Sequence, residues 1–256
     1  MGLIIEQFIC RHDNFGVLIH DEESGLTAAI DAPDAAPIEA RLRDNNWHLA
    51  QIFVTHHHAD HTDGIAALKA DHGCTVTAPA REASKIPHVD NTVAAGDKLQ
   101  FGALTIDVLE TPGHTLGHVS YVIPAETVAF VADTLFSVGC GRVIEGTMEM
   151  MWASLQKLAA LPEDTAIYCG HEYTEANVRF ALTIEPDNPA LIARAAEVKA
   201  LRAAGKVTLP TTIGREKQTN PFLRADDPGV RARLEMRDAP AAAVFGEIRK
   251  RKDSFK

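Results

Sequence analysis

The residues most able to do chemistry lie in one short run, Thr55-His56-His57-His58-Ala59-Asp60-His61. His56, His58, Asp60 and His61 place four metal-ligand side chains within six residues. His56 and His58 are two apart, so an extended backbone points them the same way, and His57 the other. His57 is therefore not expected to be a ligand. Asp60 and His61 follow on a turn that leads into a helix. A catalytic zinc ion keeps about three protein ligands and one open position. Four candidates in one run are too many for a single structural ion.

Further candidates recur at similar places. His114 lies in Thr111-Pro112-Gly113-His114-Thr115, after a strand ending at Leu109. Asp133 follows an apolar strand over Thr127–Val131, and His171 follows another over Ala166–Cys169. Loops at strand ends are where such sheets carry their sites. Together these are seven ligand-type residues: His56, His58, Asp60, His61, His114, Asp133 and His171. Seven ligands suit two divalent ions, with Asp133 bridging and the other six split three and three. Imidazole with carboxylate favours zinc first, then iron or manganese, over calcium or magnesium. Paired ions of this kind sit about 3.5–4 Å apart and bring the pKa of water down towards about 7. That chemistry makes a nucleophilic hydroxide available at neutral pH for hydrolysis, with Asp60 and Asp133 as the catalytic carboxylates. His118 reads either as a partner that orients a ligand or as a strand-start residue. Cys140, in the flexible-looking Gly139-Cys140-Gly141, is a candidate pocket residue. Cys169, inside an apolar strand, reads as structural.

The elements that must position these residues alternate between strand and helix. Phe15–His20 and Leu26–Ile30 flank a turn at residues 21–25 and read as a hairpin. A helix is expected over residues 36–46, a strand over 52–54, and a helix over 63–70 closed by Gly73. Strands are expected at 76–78, in a hairpin over 99–109 broken at Gly102, and at 119–123, 127–131 and 166–169. An amphipathic helix should span 150–161. Beyond residue 172 strand signals stop. Asn188-Pro189 and Asp227-Pro228 each pair a capping side chain with proline at the first helical position, and about four helices are expected there.

The chain has 256 residues, 46% of them hydrophobic and 23% charged, which is enough to fold around a sizeable core. A net charge of −10 disfavours nucleic acid and anionic membranes as partners. The four cysteines form no CxxC pair, which fits a reducing, cytoplasmic setting. No apolar run approaches the roughly 18 residues of a membrane span, and the first residues show no leader pattern. A monomer is expected.

His56-x-His58-x-Asp60-His61 with His114, Asp133 and His171 resembles the metallo-β-lactamase superfamily. That resemblance implies an α/β fold, an αββα sandwich over residues 1–171, followed by a C-terminal α-helical domain over 172–256. Gly139-Cys140-Gly141-Arg142, Glu145-Gly146-Thr147, Cys169-Gly170-His171-Glu172-Tyr173-Thr174, Asn220-Pro221-Phe222-Leu223-Arg224 and the segment 249–255 are similar to the glyoxalase II (hydroxyacylglutathione hydrolase) family, across essentially the whole chain. The resemblance implies hydrolysis of S-D-lactoylglutathione to D-lactate and glutathione. It assigns His56, His58 and His114 to one ion and Asp60, His61 and His171 to the other, with Asp133 between them. It places glutathione against Arg142, Tyr173, Arg249 and Lys252, cations that an acidic protein must concentrate to hold two carboxylates. The family often has Lys at the position of Arg142 and an aromatic residue at that of Ile144. The rival reading is a mononuclear iron enzyme resembling the glutathione persulfide dioxygenases. Two other rivals are a metal-binding module without activity and a nucleic-acid-processing relative.

Overall fold

The computed structural model describes residues 2–255, which form two compact units. The first comprises residues 2–110 and 115–131; the second comprises 111–114 and 132–255.

The first unit opens with strand β1 (Leu3–Ile9), which sequence reading passed over. Only one of its residues is fully buried, so its composition carries little periodic signal. It pairs antiparallel with β2 (Phe15–Asp21), and β2 with β3 (Leu26–Ile30), as the hairpin expectation requires. Helix α1 (Ala35–Asn45) starts at Asp34, whose carboxylate accepts from the Ala36 N–H, and stops at left-handed Asn46. Strand β4 (Leu49–Phe53) runs parallel to β3. A single helical turn, α2 (Ala59–Thr62), leads to α3 (Ile65–His72), which Gly73 closes at φ 65°. Strands β5 (Thr75–Pro79) and β6 (Asn91–Val93) complete a six-stranded sheet in sequence order. Ile38 and Leu42 of α1 and Ile65 and Leu68 of α3 are buried in one core with Leu18, Ile52 and Val76 of the sheet.

An antiparallel meander follows: β7 (Lys98–Phe101), β8 (Leu104–Glu110), β9 (Val119–Ile123) and β10 (Val128–Ala132). It packs on the first sheet through Phe53 against Phe101 and Tyr121, at centroid separations of 6.3 and 5.7 Å. The Tyr121 hydroxyl donates to Val54 O at 2.7 Å, which satisfies the polar end of a buried ring.

The second unit holds a small hairpin, β11 (Leu135–Phe136) with β12 (Gly139–Cys140), helix α4 (Met148–Ala159), and β13 (Ala166–Cys169). The hairpin corrects the flexible-loop reading of Gly139-Cys140-Gly141. Gly139 and Cys140 pair with Phe136 and Leu135, and the Asn220 amide donates to Phe136 O and Gly139 O. Among the described residues five helices follow where about four were expected: α5 (Thr174–Ile184), α6 (Pro189–Ala203), α7 (Ile213–Thr219), α8 (Pro228–Arg233) and α9 (Ala241–Ser254). Asn188 and Asp227 cap α6 and α8 as their sequence signals indicate. A two-residue strand, β14 (Thr211–Thr212), pairs with β13 and overturns the expectation that strands end before residue 172. Two residues have no periodicity to read, so only the partner strand defines them.

Candidate metal centre

In the first unit, Val54 continues past β4 and donates its N–H to Thr77 O, and the chain then turns out of the sheet. His56 and His58 follow, with ring centroids 4.8 Å apart. The turn of α2 carries His61 back to within 4.2 Å of the His56 ring, again by centroid. Asp60 Oδ2 lies 3.8 Å from His61 Nε2, and the Asn14 amide donates to that same oxygen at 3.0 Å.

Asp31 organises this group, and sequence reading missed it. It follows β3 in the left-handed region, φ 59°, an uncommon conformation for a residue other than glycine. Its Oδ1 accepts from the Thr55 N–H at 2.7 Å; its Oδ2 accepts from the Thr55 hydroxyl at 2.8 Å and faces His61 Nδ1 at 2.8 Å. Because the Thr55 hydroxyl donates to Asp31, it accepts from His56 Nδ1, 3.0 Å away. One carboxylate thus holds the Nδ1 protons of two imidazoles, His61 directly and His56 through Thr55. In a neutral ring that puts the lone pair on Nε2. Asp31 orients these two imidazoles, and both its oxygens are engaged in these bonds. Its signal was available: an acid directly after a strand, the same placement that singled out Asp133.

His57 has a different partner, Glu82, while its ring lies 5.0 Å from that of His58 by centroid. Its N–H and Nδ1 meet Glu82 Oε2 at 2.7 and 2.8 Å, and Glu82 Oε1 accepts from the Gly117 N–H at 2.8 Å. Glu82, 2% exposed, therefore ties the histidine run to the loop before β9. No sequence pattern marked it. His118 is fully buried and stacks on His56, with centroids 5.0 Å apart.

In the second unit, Asp133 Oδ2 lies 3.3 Å from His114 Nε2 and 3.4 Å from His171 Nε2. His114 Nδ1 meets Arg142 O at 2.8 Å, so this imidazole too presents Nε2. The segment after Arg142 is pinned to the same loop: Glu145 N–H donates to His114 O and Gly146 N–H to Gly113 O. Gly141 has no room for a side chain, because a Cβ would stand 1.9 Å from Asp133 O. His171 follows β13, where Gly170 N–H donates to Ala132 O, and Tyr173 stacks flat on its ring at 4.7 Å.

The residues expected to hold the substrate all lie in this unit. Arg142 and Tyr173 are exposed. Arg249 is 4% exposed: it donates to Cys140 O at 2.9 Å, pairs with Asp253 at 2.8 Å and lies over the Phe222 ring. One turn on, the Lys252 amine donates to Ala176 O at 3.1 Å. Burial, then the positive charges of Arg249 and Arg179, pull its pKa down to about 8. Cys140 is buried, and burial outweighs the nearby Arg249 charge in raising its thiol to about 11. Cys169 is likewise raised by burial, in line with a structural role.

The donor set fits divalent transition ions. It combines imidazoles with carboxylates, and in His56, His61 and His114 Nδ1 is held by an oxygen, which is the pattern of ligands oriented by outer hydrogen bonds.

Residues 24–171 match the metallo-β-lactamase superfamily, and residues 172–255 match the hydroxyacylglutathione hydrolase C-terminus. The hydroxyacylglutathione hydrolase of Brucella anthropi is 60% identical over 253 residues, covering 99% of this chain and 97% of the relative. The protein of the same name from Brucella ovis is 58% identical, covering 99% of this chain and 98% of the relative. Among solved structures, ETHE1 from Myxococcus xanthus covers 99% of this chain and 100% of its own, with a TM-score of 0.67 at 23% identity. TTHA1623 in a di-iron-bound form covers 86% and 100%, with a TM-score of 0.63 at 22% identity. At these identities the likeness is one of fold. The fold is thus the α/β, metallo-β-lactamase-like class followed by a helical C-terminal region. The chain belongs to the hydroxyacylglutathione hydrolase family of that superfamily.

Proposed function

We propose that this chain is a thioester hydrolase that cleaves S-2-hydroxyacylglutathiones, S-D-lactoylglutathione among them, to the hydroxy acid and glutathione, the second step of methylglyoxal detoxification. The observation that carries the reading is the orientation of the histidines. His56, His61 and His114 each have Nδ1 against an oxygen, and Asp133 Oδ2 faces two Nε2 atoms. Identity of 60% over nearly the whole chain supports the substrate.

In this reading His56, His58 and His114 hold one divalent ion, Asp60, His61 and His171 the other, and Asp133 bridges. Zinc leads the candidates, with iron and manganese behind. When bound, such ions supply an activated water and polarise the thioester carbonyl.

The residues around the site do the rest. Asp60, held by Asn14, is placed to keep the proton of the attacking water directed away from the carbonyl carbon. The water gives one proton to solvent and adds as hydroxide to that carbon; the C–S bond breaks with its electron pair on sulfur, so glutathione leaves as a thiolate and the acyl carbon keeps the hydroxyl as a carboxylic acid. With a thiol pKa near 8.5 the thiolate departs without a dedicated proton donor, which is why the chain needs no such residue. Arg142, Tyr173, Arg249 and Lys252 bind the glutathione moiety. Arg249 does so in part by fixing the β12 backbone through Cys140 O.

We place the catalytic part at residues 1–171 and the substrate-binding helical part at 172–256. The chain is read as a cytoplasmic monomer with no nucleic-acid or membrane partner. The charge of −10 disfavours a nucleic-acid partner; among the described residues no helix is long and apolar enough to cross a membrane. The one-iron alternative has only fold likeness behind it.

The test is hydrolysis of S-D-lactoylglutathione before and after chelation, with metal added back and counted. Two equivalents and full recovery are expected, and Asp133→Ala should lose metal and turnover together. Turnover that survives complete chelation, or an Asp133→Ala protein with normal turnover, refutes the reading.

A further inference from the structure

We propose that His48 and His72 form an accessory site for a divalent transition ion of the zinc type, separate from the candidate centre. Both belong to the first unit. His48 lies on the turn between α1 and β4, and His72 is the last residue of α3. Their Nδ1 atoms are 3.3 Å apart. Two imidazole nitrogens at 2.0–2.1 Å from one tetrahedral ion are separated by about 3.3–3.4 Å. The rings meet obliquely, with centroids 5.0 Å apart and planes 54° apart.

The second observation concerns Glu39 of α1. Its Oε1 stands 2.7 Å from His72 Nε2. The Nε2 proton is thus held by a carboxylate and the His72 lone pair sits on Nδ1, towards His48. This is the carboxylate–histidine–metal arrangement, in which the outer acid fixes the tautomer and raises ligand basicity. Without an ion, His48 Nδ1 must carry the proton shared between the rings. Coordination moves that proton to His48 Nε2 without net release. His48 is exposed, so two of the four coordination positions remain for water, and the site exchanges with solvent. Imidazole with water suits zinc, nickel and copper rather than calcium or magnesium. An ion here clamps the end of α3 to the turn that starts β4.

Zinc itself is the probe. The wild-type protein, with its candidate centre already loaded, is titrated with Zn2+ and the ions counted by native mass spectrometry, with the melting temperature followed in parallel. Wild type should take one more ion than His48→Gln, and zinc should raise the melting temperature of wild type only. Glu39→Gln, which leaves both imidazoles in place, should weaken this extra ion about 10–100-fold. Thioester turnover should be unchanged in both variants. The proposal is overturned if His48→Gln binds as many ions as wild type, or if Glu39→Gln leaves the affinity of the extra ion unaltered.

Discussion

Asp31→Asn separates orientation from ligation in the candidate centre. The substitution keeps size and shape, so packing around a buried position is preserved. It replaces one carboxylate oxygen by an NH2 group. Oδ1 can still accept from the Thr55 N–H, but the amide hydrogens then confront the Thr55 hydroxyl and His61 Nδ1, which Oδ2 now serves at 2.8 Å each. His61 loses the acceptor that holds its Nδ1 proton, and His56 loses the same support at one remove. Removing one outer partner costs about 10–100-fold in metal affinity, or about 1.4–2.7 kcal/mol. Because Oδ2 serves ligands assigned to different ions, both ions should weaken, each by at least about tenfold. Competition against a chromophoric chelator measures both affinities. Turnover at saturating metal then shows how much activity excess metal recovers. Thr55→Val is the control: it cuts the link to His56 and keeps the backbone bond to Asp31, so only one ion should loosen. Wild-type affinity for both ions in Asp31→Asn would refute the reasoning.

Lys252 should make substrate binding sensitive to alkaline pH. Its amine is charged below about 8 and neutral above, so KM for the glutathione thioester should rise between pH 8 and 9.5 with kcat little changed, and Lys252→Arg should flatten that rise. Gly141→Ala should cost at least about 1–3 kcal/mol of stability and most of the activity, because the new Cβ meets Asp133 O, a backbone atom that cannot swing aside; a melting curve and a turnover assay check it. The Cys140 thiol, raised to about 11 by burial, should resist alkylation at pH 8 in the folded protein and react once the chain is unfolded.

Several elements were legible because their signals are local. The β2–β3 hairpin has apolar runs around a turn; α3 has its closing glycine; α6 and α8 have a capping side chain followed by proline. The reading failed where structure depends on a partner. Strand β1 exists through its pairing with β2, and β14 through β13. Residues 139–141 look flexible because two are glycine, yet Asn220, 81 residues from Gly139, holds that hairpin through its carbonyls.

The sequence alone determined which residues are candidates for the chemistry. Histidines two apart on an extended strand exit, followed by Asp60 and His61, are ligand-like in almost any fold, because spacing fixes direction over so short a run. It also determined that acids and histidines recur after strands. The tertiary structure decided which way each imidazole presents its lone pair. That depends on what lies beside Nδ1: Asp31, 30 residues from His61, or the carbonyl of Arg142, 28 residues from His114. It also decided that Glu82 binds His57 and that Arg249 is buried against β12 instead of open to solvent. Hydrogen bonds between residues distant in sequence follow from the path of the backbone, and side-chain spacing along the chain carries no record of that path.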